Sequence, residues 1–188
     1  MLFNSPKCYG VVAMTLHWLI AAAIIGMLVF GKYMNGLPDT DANKFALYQL
    51  HKSVGITILV LSVARLGWRL VNVVPPLPAG MPAWQRWGAH LSHFGLYVLM
   101  IGIPLSGWAR VSSDPIGIPT IWFGMFEIPP LPGLGVGKDI SHDMHEAHEL
   151  LGNAMILLLL LHVGAALKHH FWDRDTVLRR MLPFTNVE

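Results

Sequence analysis

Four long apolar runs dominate the chain, at residues 11–33, 50–71, 89–111 and 147–170. Each is close to the twenty or so residues that a helix needs to cross a hydrocarbon core. Breakers separate them: Asn35-Gly36-Leu37-Pro38 in the first connector, Pro75-Pro76-Leu77-Pro78 in the second, and a long Pro/Gly-rich third connector at 112–144. Short first and second connectors predict an all-α membrane protein, a four-transmembrane-helix up-down-up-down bundle in a single domain over residues 1–188. The third connector contains no evident helix. Its aromatic and proline residues (Trp122, Phe123, Phe126, Pro129, Pro130, Pro132) predict a cap over that end of the bundle, with an ordered loop free of chemistry as the alternative.

Composition agrees with this reading. Of 188 residues 54% are hydrophobic and 13% charged, too apolar for a soluble domain of this size. The first run carries His17 and has no small-x-small site after it, so it is expected to be a retained helix and not a cleaved signal. Lys and Arg fall eight to five. Lys7, Arg65, Arg69, Arg86, Lys168, Arg174, Arg179 and Arg180 lie on the side of the termini and second connector. Lys32, Lys44, Lys52, Arg110 and Lys138 lie on the other, among more acids. This bias places both termini of a multi-pass membrane protein in the cytoplasm. A net charge of +2 gives no reason to expect nucleic acid as a partner. The single cysteine, Cys8, excludes within one chain a disulfide framework, a four-cysteine zinc site and a Cys-x-x-Cys-His haem attachment.

Any metal must then be held chiefly by imidazole, and the chain has ten histidines. His148 and His162 are fourteen residues apart, four helical turns less about 40°, so they share a face about 21 Å apart along the axis. Depth supplies partners. His17 and His162 both lie near the cytoplasmic side, on the first and fourth spans. His51 and His148 both open their spans on the periplasmic side. Two pairs at two levels are what bis-imidazole haem ligation requires, one nitrogen for each face of the iron. Position i+4 from each is small: Ala21, Gly55, Gly152 and Ala166, room for a macrocycle, whereas the other six histidines have larger residues there. Helix packing alone also selects small residues and polar contacts, the alternative explanation for any single one.

Other residues have two readings each. His93, one turn from His90, is a contact for a haem propionate or quinone head group, or an interfacial polar residue. Arg65 and Arg69 share a face and are either propionate donors or part of the positive-inside bias, and Lys52 and Arg110 are the corresponding cations at the other end. His142, His145 and His148 leave open a different class of function, a non-haem metal-binding or transport bundle. A solvated helix start, with acids favoured at its N-terminus, is the preferred reading of the first two.

Several segments resemble the bacterial cytochrome b561 family: Tyr9-Gly10 before His17-Trp18-Leu19; Leu50-His51-Lys52-Ser53-Val54-Gly55; His90-Leu91-Ser92-His93 through Tyr97; and His148-Glu149 through His162 to His169-His170-Phe171 and Asp173-Arg174-Asp175. Together they cover essentially the whole chain. The resemblance implies a small four-helix cytochrome with two haem b groups, axial ligands at His17, His51, His148 and His162, and electron exchange with ubiquinone. For some members it implies oxidation of superoxide. The long third connector departs from the most compact members. A b-type membrane subunit of a larger dehydrogenase or hydrogenase is the alternative. Besides membrane lipid, a protein electron donor or a second copy of the chain remains open as a partner.

Overall fold

The computed structural model describes residues 1–183. Its helices are α1 (Val11–Asn35), α2 (Lys44–Val71), α3 (Ala83–Ser113) and α4 (Lys138–Lys168), with a hairpin of β1 (Thr120–Trp122) and β2 (Phe126–Ile128) between α3 and α4. All four helices are long and apolar enough to cross a membrane. Consecutive helices pack as neighbours, as short connectors require. The fold is the mostly helical, four-span bundle that the apolar runs predict.

The helices outrun the apolar runs. Starts predicted at 50, 89 and 147 lie at Lys44, Ala83 and Lys138. Hydropathy marks only the stretch that lipid must solvate, whereas helical hydrogen bonding is local and continues into the polar interface. The expectation of a third connector without helix is therefore corrected. Residues 138–144 are the first turns of α4, with Asp139 at the positive end of the helix dipole.

The remainder of that connector builds the hairpin, paired Thr120 with Ile128 and Trp122 with Phe126. Its turn holds Phe123 and Gly124 at φ of 45° and 77°, the positive-φ conformation that suits the twist of a tight hairpin. The hairpin lies along the flank of α2. Ser53 Oγ accepts from the Phe123 N–H at 3.0 Å, Thr57 Oγ1 accepts from Trp122 Nε1 at 3.1 Å, and Lys52 Nζ donates to the Pro119 carbonyl at 2.8 Å. Strands of three residues need such partners, because so short a pair is marginal alone.

At the other end the termini and second connector meet. Asn4 Nδ2 donates to the Val73 carbonyl, Trp18 Nε1 to that of Met181, and Phe3 stacks on Trp68. In the first connector Lys44 Nζ donates to Asp39 at 2.7 Å. That hydrogen bond and its charge hold the exposed Asp39 carboxyl below its usual value, a contribution present at neutral pH and lost as pH falls through the lowered pKa.

The bundle is apolar outside. Leu19, Val29, Val60, Leu157 and Leu160 are exposed, as lipid-facing residues are. Buried apolar side chains form a thin cluster of Ile20, Ile24, Ile58, Leu99, Met100 and Met155. Histidines lie on both sides of this layer, His51 and His148 toward the hairpin and His17, His93 and His162 toward the termini.

Candidate functional site: two histidine levels in the bundle

At the hairpin end, the rings of His51 on α2 and His148 on α4 have centres 6.1 Å apart and interplanar angle 71°. The seat of His148 explains its orientation. Its Nδ1 lies 2.9 Å from the Ile103 carbonyl and 3.2 Å from Ser106 Oγ. A carbonyl only accepts, so Nδ1 carries the proton and Nε2 keeps its lone pair. Metal-binding histidines are commonly fixed in this way. Opposite, His51 stacks against Phe30, centres 6.2 Å apart, and its Nδ1 is buried without a partner.

Two glycines make room for these rings. A Cβ on Gly107 would stand 3.0 Å from Cε1 and 3.1 Å from Nδ1 of His148, and one on Gly31 would stand 3.4 Å from Cε1 of His51. By contrast, a Cβ on Gly55 or Gly152 would meet nothing within 4 Å. Both of these line a cavity of about 380 Å³ that also contacts His51 and His148, Lys52 and Arg110. The small residues one turn from His51 and His148 thus face open volume. Those on the neighbouring helices hold the rings.

At the terminus end, His17 on α1 and His162 on α4 have ring centres 6.4 Å apart, interplanar angle 65°. His93 on α3 adds a third imidazole 5.6 Å from His162. Arg65 Nη1 donates to the Ala13 carbonyl at 2.9 Å, and the Arg69 guanidinium lies 5.9 Å over the Tyr97 ring. His90, one turn away from His93, is exposed.

Two imidazoles on one metal ion have a characteristic spacing. An imidazole nitrogen binds a first-row metal at about 2.0–2.1 Å and lies about 1.1 Å from its own ring centre, so two imidazoles on opposite sides of one ion have centres about 6.3 Å apart. Both pairs have that spacing. The donor set is also right for iron in a porphyrin, since imidazole is a common axial ligand.

The sequence pattern of prokaryotic cytochrome b561 matches residues 8–184. The chain belongs to this family. It is 36% identical over 181 residues to cytochrome b561 homolog 2 of Escherichia coli K12, covering 95% of this chain and 93% of the relative. Over 178 residues it is 28% identical to the probable superoxide oxidase CybB of Yersinia pestis (94% and 97% covered) and 29% identical to cytochrome b562 of Cereibacter sphaeroides (93% and 94%). This b561-family chain is a b-type, haem-binding cytochrome for transmembrane electron transfer, a multi-pass protein of the bacterial inner membrane.

The metal-binding alternative receives no such geometry. His142 is paired with Glu146 at 3.2 Å and His148 with the Ile103 carbonyl. Among the described residues, the three ligand atoms within 4.8 Å of one another are those of His169, Asp173 and Asp175, not of His142, His145 and His148. His169 Nδ1 already binds Asp175 at 2.6 Å, and Lys168 Nζ binds Asp173.

Sequence reasoning missed Gly31, Gly107, Phe30 and the Ile103 carbonyl. A signal for the glycines was present: Gly31 is fourteen residues beyond His17 and Gly107 fourteen beyond His93. These are the same helical faces as the terminus-end histidines, one level along. The carbonyl carries no signal, because every residue has one.

Proposed function

We propose that this chain carries electrons across the membrane through two bis-imidazole b-type haems, one held by His17 and His162 and the other by His51 and His148. The observation carrying the reading is the pair of ring-centre separations, 6.4 and 6.1 Å, matching two imidazoles on one metal. Haem supplies one-electron chemistry when bound; the protein's part is ligation, spacing and burial.

Each residue then has a definite task. His148, with its Nδ1 proton committed to Ile103, presents Nε2, and Phe30 orients the His51 ring. Gly55 and Gly152 leave the volume in which a macrocycle lies. Arg65 and Arg69 at one end and Lys52 at the other are charge-assisted donors for propionates. Lys52 does so from a position also fixed by the Pro119 carbonyl. His93 is a contact for a propionate or for the head group of ubiquinone, the electron partner of this reading. Superoxide is the donor in the version closest to the name of the Yersinia relative. The excess of Lys and Arg near the termini supports an orientation with both termini in the cytoplasm.

Haem stoichiometry of the purified protein tests the reading, by pyridine haemochrome against protein mass. Two haems are expected, with His17→Ala and His51→Ala each leaving about one. Oxidation of the reduced protein by a short-chain ubiquinone should follow within the same preparation. A single haem, or loss of both on either substitution, overturns the ligand assignment.

A further inference from the structure

The seven-residue steps between the histidine levels contain a third level. Seven residues are two helical turns less about 20°, so steps of seven stay on one face and rise about 10.5 Å. From His148, one step reaches Met155 and two reach His162. From His51, the steps reach Ile58 and Arg65. From His17 they reach Ile24 and Gly31, and from His93 they reach Met100 and Gly107. The outer levels contain every histidine pair described above. The middle level is Ile24, Ile58, Met100 and Met155.

All four middle residues belong to the buried cluster of the bundle, and Met155 is 1% exposed. All four also line the cavity of about 380 Å³ beside His51 and His148, whereas none of His17, Arg65, His93 and His162 is in its lining. The cavity on the hairpin side therefore ends against this buried apolar cluster, with the terminus-end histidines beyond it. Tyr97 packs against the cluster with Arg69 over its ring, and Ser62, a turn beyond Ile58, is fully buried and its Oγ has no partner. A proton relay needs successive groups within hydrogen-bond reach, and one unpartnered hydroxyl does not form a chain.

We infer that Ile24, Ile58, Met100 and Met155 form a dry septum that passes electrons between the two levels while blocking protons and water, with Met155 as its central residue. Electrons tunnel through packed apolar matter, whereas a proton must be handed between polar groups. An electron crossing the septum thus moves charge alone. Reduction of a quinone by two electrons then draws its two protons from the quinone's own side of the layer. This inference rests on the two-haem reading for its electron branch, but the proton branch stands on packing alone.

The test uses purified haem-loaded protein in liposomes with pyranine inside, following proton uptake after a valinomycin potassium potential. Wild type should be as tight as protein-free vesicles, and Met155→Leu should match it. Met155→Glu, which puts a titratable group in the layer, and Met100→Gln/Met155→Gln, which keeps side-chain length, should raise the rate at least about tenfold. Haem content is measured on every sample. Loss of the two-haem stoichiometry in wild type would remove the electron branch and leave the proton comparison readable. Wild-type vesicles leaking well above protein-free ones, or both polar variants staying tight with haem retained, would overturn the septum.

Discussion

Each histidine ring is held by different neighbours, and the neighbours predict unequal sensitivity. Gly107 gives His148 its seat, and a Cβ there would come within 3.1 Å of two ring atoms. Overpacking of this kind typically costs about 1–3 kcal/mol. Gly107→Ala should displace the imidazole and lower haem occupancy at the hairpin end, leaving a spectrum dominated by the other centre. Gly31→Ala, at 3.4 Å from His51, should do so less. Equal haem content in both variants and wild type would show that the glycines are not what seats these rings. At the other level charge is the sensitive quantity. Arg65 lies one level from Ile58 and among His17, His93 and His162, and a cation favours the reduced, less positive centre. Arg65→Leu should lower one midpoint potential, on the order of 50 mV at an effective dielectric near 20, and leave the second almost unmoved. Redox titration resolves the two.

Among the elements, the hairpin is the one that hydropathy did not reveal. Its strands are three residues each, too short to be stable without support, and α2 provides it through Ser53 and Thr57. Ser53→Ala leaves the Phe123 N–H without its acceptor, an unsatisfied group worth about 1–3 kcal/mol. The expected result is a lower thermal midpoint and faster proteolysis within residues 114–137, with α-helical content unchanged. Unaltered cleavage of that segment would mean the β pairing suffices alone. The sequence held part of this element: Gly124 in a run of aromatic residues is a turn signal. Strand pairing over such a short stretch is decided by its partner on α2. The early starts of α2, α3 and α4 were hidden for a related reason, since polar helical turns leave no trace in a hydropathy pattern.

For the whole molecule, the one cysteine offers a natural probe of orientation. Cys8 lies just before α1, so with both termini cytoplasmic a membrane-impermeant maleimide should label it in inside-out vesicles and not in intact spheroplasts. The opposite pattern would invert the topology drawn from the Lys and Arg bias. Bundle closure between α1 and α4 depends little on the surface ion pair Lys32–Glu149, 3.6 Å apart with both side chains more than half exposed. Such pairs contribute about 0–1 kcal/mol. Lys32→Ala should therefore leave the thermal midpoint nearly unchanged, whereas cofactor removal should lower it sharply, because His51 and His148 line space that protein atoms alone do not fill.

The sequence by itself determined the number of spans, because a hydrocarbon core demands about twenty apolar residues whatever the tertiary arrangement. It also determined the faces on which His148 and His162, and the residues seven steps from each, must lie, because helical periodicity is a local property. The tertiary structure alone decided what stands opposite each face. That His51 packs on Phe30 and Gly31, that His148 donates its Nδ1–H to the Ile103 carbonyl, and that His93 comes to 5.6 Å from His162 depend on how four helices rotate and slide against one another. Helix rotation and sliding are set by side-chain packing between elements far apart in the chain, and no periodicity within one helix records them.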